Sequence, residues 1–146
     1  MDAACRAAAF GDLELELKHT RRVLERLPAH AWNWTPHAKS WSLGTLAAHL
    51  VQLLAWGEAA LRAPEVDLAQ ADSPPLPRNP EELLAQWDRR ADALRAAWSD
   101  LGDGALADTW TLRRGDQVLL RLPRAAILRT FVLSHLIHHR AQLVVY

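Results

Sequence analysis

Seven histidines are spread along this 146-residue chain, and three of them, His135, His138 and His139, fall within five positions in the stretch "SHLIHHRAQL" near its end. A neutral imidazole offers a lone pair on one ring nitrogen and an N–H on the other, so an inward histidine can hydrogen-bond, move protons or ligate a metal. Successive helical residues turn by about 100°, which places His135 and His139 about 40° apart on one face, one turn from each other. Two imidazoles so arranged can grip one ion. The same arithmetic brings Leu128, Val132, Gln142 and Leu143 into that sector, so the pair is expected to face the core. His138 lies about 60° from His135 on the side away from His139 and is expected to support the site or the structure rather than to be a ligand. Further upstream, His49 shares a helical face with Leu46, Leu53 and Trp56.

Three imidazoles from two helices would hold an ion and leave a coordination position for water or substrate, as catalytic sites do and closed structural sites do not. The ion would also offset the cost of burying unpaired rings, while the second ring nitrogens are fixed by neighbouring acceptors. His138, Gln142 and Trp56 are the candidates for that supporting role or for the pocket wall. The competing account makes each histidine an ordinary hydrogen-bonded core residue. Protease chemistry of the H-E-x-x-H type is excluded, because Leu136 stands where the general-base glutamate would follow the first histidine. His19, His30 and His37 read as surface or link residues. Cys5, the single cysteine, has no neighbour to lower its pKa and is not expected to be a nucleophile.

Four amphipathic segments can position these groups. From Phe10, apolar residues recur at Leu13, Leu17, Val23, Leu24 and Leu27 before Pro28, predicting a first helix. A Trp-rich link, "HAWNWTPHAKSW", leads to Ser42 as the cap of a second helix that runs through Leu61 to Pro64. In that link Trp32, Trp34 and Trp41 are expected to seal the end of the bundle rather than line a pocket. Residues 64–79 hold four prolines and no period, so they read as a long crossover. Asn79 as cap, Pro80 at the first position and Glu82 as capping-box acid open a third helix, with Trp87 and Trp98 on its core stripe. Alternation around Gly115-Asp116 predicts a short β-hairpin over the bundle, and a fourth helix runs from about Arg124 to the end. The expected fold is all-α, a four-helix bundle in one domain over residues 1–146.

Composition narrows the functional classes. Seventeen basic and seventeen acidic side chains balance to a formal net charge of zero, and the arginines are interleaved with acids, so no nucleic-acid partner is expected. One cysteine permits no internal disulfide, which fits a cytoplasmic protein. Apolar segments are interrupted well before the roughly 18 residues that a membrane span needs, so no membrane association is expected.

Two segments carry a family resemblance. Residues 34–50, "WTPHAKSWSLGTLAAHL", and residues 135–143, "HLIHHRAQL", resemble the entry to helix two and the H-x-x-x-H-R-G-Q motif of the DinB/YfiT-like family of metal-dependent bundle proteins. Ala141 stands where that family commonly has glycine, and relatives generally continue beyond the position of Tyr146. The resemblance implies an up-down-down-up bundle, often a homodimer, with His49, His135 and His139 binding a divalent transition metal, usually nickel or zinc. It also implies metal-dependent chemistry on a small-molecule substrate, either transfer of a low-molecular-weight thiol to an electrophile or hydrolysis. The alternative is a non-catalytic ligand-binding or dimerising stress-response protein with structural histidines.

Overall fold

Ser42 and Asn79 act as the sequence requires of helix caps. In the computed structural model, which describes residues 3–71, 75–102 and 104–146 with the side chains of residues 3 and 5 excepted, Ser42 Oγ accepts from the Thr45 N–H at 3.2 Å and opens α3 (Leu43–Arg62). Asn79 Oδ1 accepts from the Glu82 N–H at 2.8 Å and opens α4 (Pro80–Ser99). The capping box is one-sided. The Glu82 carboxylate turns outward to the Arg78 N–H and guanidinium instead of reaching back to Asn79. The account of Cys5 as chemically inert lies outside the described residues.

The expected first helix is α2 (Leu13–Leu24), and a separate α1 (Ala3–Phe10) precedes it, the two meeting at Gly11. Arg129 clamps that junction by donating to Ala9 O at 3.0 Å and to the Asp12 carboxylate at 3.1 Å. The last helical run is continuous but not uniform. It starts as α5 (Arg124–Ile127), widens into a π-helical stretch over Leu128–Ser134, and returns to regular α6 at His135–Val145. Helix α3 packs on α4 and α6, and α2 packs on the same two, so each of these four helices touches two others. Leu17, Leu24, Leu50, Leu54, Leu83, Trp87, Leu94, Leu133 and Leu136 fill the space between them and are almost wholly buried.

The chain is therefore mostly helical, with a small three-stranded sheet. Strands β2 (Thr109–Arg114) and β3 (Gln117–Pro123) pair antiparallel on either side of Gly115-Asp116, with Gly115 at φ +57°. A third strand, β1 (Glu65–Asp67), pairs parallel with β2, Val66 opposite Leu112. It comes from the proline-rich connection. Asp67 anchors it by accepting from the Ala69 and Gly115 N–H groups at 2.9 Å and from Arg113 at 2.7 Å. These bonds, the two backbone N–H donors foremost, hold the Asp67 carboxyl below the usual carboxylate range.

Candidate metal centre

The Trp-rich link is fastened to the start of α3 before it reaches the histidines. The first backbone N–H groups of a helix have no partner within it. Here the link supplies two: Trp34 O accepts from Leu43 N–H and Trp32 O from Gly44 N–H, each at 2.9 Å. The Trp32 ring lies flat against Gly44, where a Cβ would meet it at 2.4 Å. That close approach turns the link back over the helix and sets Trp41 beside His49, edge-on with ring centroids 5.2 Å apart. Trp41 also stacks on His139 at 5.9 Å. It is a wall of the site, where the sequence suggested a seal for the bundle end.

Three Nε2 atoms converge next to it. His49 on α3 brings Nε2 to 3.4 Å from that of His135, and His135 Nε2 lies 2.8 Å from that of His139. A ligand nitrogen from each of the three lies within 4.8 Å of the others. The outer nitrogens of two rings are tied back: His49 Nδ1 to Gln52 Oε1 at 3.2 Å, and His139 Nδ1 to Gln142 Oε1 at 2.7 Å. An amide oxygen accepts only, so both rings carry the proton on Nδ1 and present a bare lone pair at Nε2. Both lone pairs point at His135. Its own Nε2 can donate to one of them at most, so three rings aimed at one point with a single proton to share suit a central cation better than each other.

The electrostatics agree. Burial holds the His49 imidazole below the ordinary histidine value and repulsion from His135 adds to it, while the Gln52 bond opposes. Burial likewise lowers His139, with Gln142 opposing and repulsion from His49, His135 and His138 adding. Neutral rings are the form that binds a metal.

The outer parts of the site sort as follows. His138 is exposed, its ring edge-on to His139 at 4.9 Å, and supplies no inward nitrogen. Gln142 lies beside the cluster, its Oε1 bonded to His139 Nδ1. Trp56 is 40 % exposed and two helical turns beyond His49, and the tryptophan ring beside His49 is that of Trp41. Gln52 escaped the sequence reading although it carried a usable signal, since His49-x-x-Gln52 repeats the spacing of His139-x-x-Gln142. The next residue along, Arg140, pairs with Glu16 and bonds Glu16 O at 3.3 Å, bracing α6 against α2. Lys39, Ser40, Trp41, Leu46, His139 and Gln142 border an open cavity of about 300 Å³ beside the cluster.

Fold and site together define a helical-bundle protein with a three-histidine cluster that fits a metal ion. Residues 12–143 match the model of the DinB superfamily, and the chain belongs to that superfamily. Among solved structures it is similar to the crystal structure of a DinB-like protein from Bacillus cereus, with a TM-score of 0.69 and 19 % sequence identity over 94 % of this chain and 87 % of that one. At that identity the likeness is one of fold. No curated protein matches the chain. No helix among the described residues is long and apolar enough to cross a membrane.

Proposed function

We propose that His49, His135 and His139 bind one divalent transition metal, nickel or zinc, and that the protein uses it to act on a small molecule by thiol transfer to an electrophile or by hydrolysis. The observation that carries this is the convergence of three Nε2 atoms with two of the rings locked by glutamine into the ligating tautomer. A bound ion of this kind stabilises a thiolate or hydroxide at neutral pH. Three neutral imidazoles would leave its double charge uncompensated, and no Asp or Glu side chain is among the residues that border the cavity. An anionic partner at the open position is therefore favoured. Trp41 shields His49 and His139 on one side, which limits the approach of a substrate to the open cavity.

Protein purified without a histidine tag is expected to contain or take up close to one equivalent of nickel or zinc, and His135→Ala to take up almost none. Substoichiometric uptake that added metal does not restore would overturn the assignment. Turnover of a small electrophile with a low-molecular-weight thiol, lost on chelation and regained with metal, tests the catalytic half. Stoichiometric metal without such turnover or hydrolysis across a broad panel would favour the non-catalytic account. The family resemblance adds a homodimer, which sedimentation checks.

A further inference from the structure

A second cavity, of about 280 Å³, lies between α3, α4 and the connection that precedes α4. Its walls are largely apolar: Ala48, Val51 and Ala55 from α3 face Pro75, Leu76 and Pro77. That outer wall is fixed in place, because Pro77 is buried and Gln86 donates to Pro75 O at 3.3 Å. Leu76, which lines the cavity, is nonetheless 52 % exposed, so an occupant could cover part of its apolar surface.

The charged groups in the wall are of one kind. Arg89 and Arg90 both reach it from α4. Arg90 is matched by Glu58 at 3.4 Å, whereas Arg89 pairs with no acid among the described residues. Gln52 also lines the cavity, and its Oε1 is taken by His49. Its amide N–H groups have no protein acceptor among the described residues and are open to water or to an occupant of the cavity. An apolar chamber with a guanidinium that pairs with no acid among the described residues, beside an amide donor, matches a carboxylate on a hydrocarbon body. At about 280 Å³ the space is many times the roughly 10–15 Å³ that one water needs, so it takes a small organic molecule.

We infer that this cavity binds a small aromatic or branched monocarboxylic acid, its carboxylate held by Arg89 and the Gln52 amide and its body against Val51, Ala55 and Leu76. Arg89 and the apolar walls stand apart from the histidines, and the two sites share only Gln52, whose Oε1 is bonded to His49 while its amide N–H groups serve this cavity.

The test uses benzoate as probe, titrated into chelator-treated, isotopically labelled protein and followed by amide shifts in nuclear magnetic resonance. Saturable shifts are expected at the Gln52 side-chain amide and at Val51, Ala55 and Leu76. Benzamide, of the same shape without the charge, should bind about tenfold more weakly, as should benzoate to Arg89→Met, which keeps the apolar stem; tenfold is the effect of losing one charge-assisted hydrogen bond. Ala55→Phe, which fills the chamber, should abolish the shifts while melting as a folded protein. The inference is overturned if benzoate gives no saturable shift at millimolar concentration, if benzamide binds equally well, or if Arg89→Met binds unchanged. Because chelated protein is used, failure here leaves metal binding untouched, and failure of metal binding leaves this result standing.

Discussion

Gln52 and Gln142 make the sharpest claim at the scale of single residues, since each holds one imidazole in the tautomer a metal needs. Such supporting bonds typically contribute 10–100-fold to metal affinity. Gln52→Leu and Gln142→Leu are each expected to weaken zinc binding by about that factor, read by competition against a chromophoric chelator; unchanged affinity would show that the bonds do not orient the rings. The depressed His49 and His139 pKa values give a pH dependence of defined sign. Both rings take a proton less readily folded than unfolded, so their contribution to stability is complete above the unfolded value of about 6.5 and declines as pH falls through it toward the folded values. Chelated protein should therefore melt at lower temperature at about pH 5.5 than at about pH 7.5, and a His49→Ala, His139→Ala double variant should lose part of that difference. The His135/His139 pair was legible because the four-residue spacing lies wholly inside regular helix from His135 onward. Trp41 was not, because its place depends on carbonyls and a ring packing across a turn.

Among the elements, the two glycines of α3 differ in what stands against them. A Cβ at Gly44 would fall 2.4 Å from the Trp32 ring, while at Gly57 it would meet the ends of Leu94 and Val132 at 3.0 and 3.2 Å. Alanine gains about 1 kcal/mol over glycine in a helix interior, and yielding side-chain ends at Gly57 cost about that much again. Gly57→Ala is expected to unfold in urea within about 1 kcal/mol of the parent, and Gly44→Ala to lose about 1–3 kcal/mol through overpacking. Displacing Trp32 should also move Trp41, so Gly44→Ala alone should bind metal more weakly. Equal losses at the two sites would contradict the packing argument. Helix caps and core stripes were readable because both are local. The π-helical stretch over Leu128–Ser134 was not, since the same apolar residues fit a period of 3.6, and it shifts the 100° arithmetic for everything before His135. Strand β1 was hidden for a related reason: three residues in a proline-rich segment gain their ladder from a partner some 46 positions away.

Across the whole molecule, the histidine cluster joins α3 to α6, with His49 and His135 separated by 86 residues in sequence. In the unfolded chain these rings do not meet, so an ion that needs all three binds the native state and stabilises it by mass action. At a free metal concentration about a hundred times Kd the gain is about 2.7 kcal/mol, and each kcal/mol raises Tm by roughly 2–4 °C in a chain of this size. Zinc or nickel at that level should therefore raise the melting temperature by roughly 5–10 °C, reversibly on chelation. His135→Ala removes the ring that stands between the other two, and should abolish the shift while leaving the melt of the chelated protein within a few degrees of the parent. His19, His30 and His37 are exposed and could gather metal at the surface, but weak surface binding would act on the unfolded chain as well and produce little shift. The same rise in a His135→Ala, His139→Ala double variant would therefore place the ion away from the α3–α6 cluster, whereas its loss there and retention in a His30→Ala control would tie the stability of the whole bundle to the three converging rings.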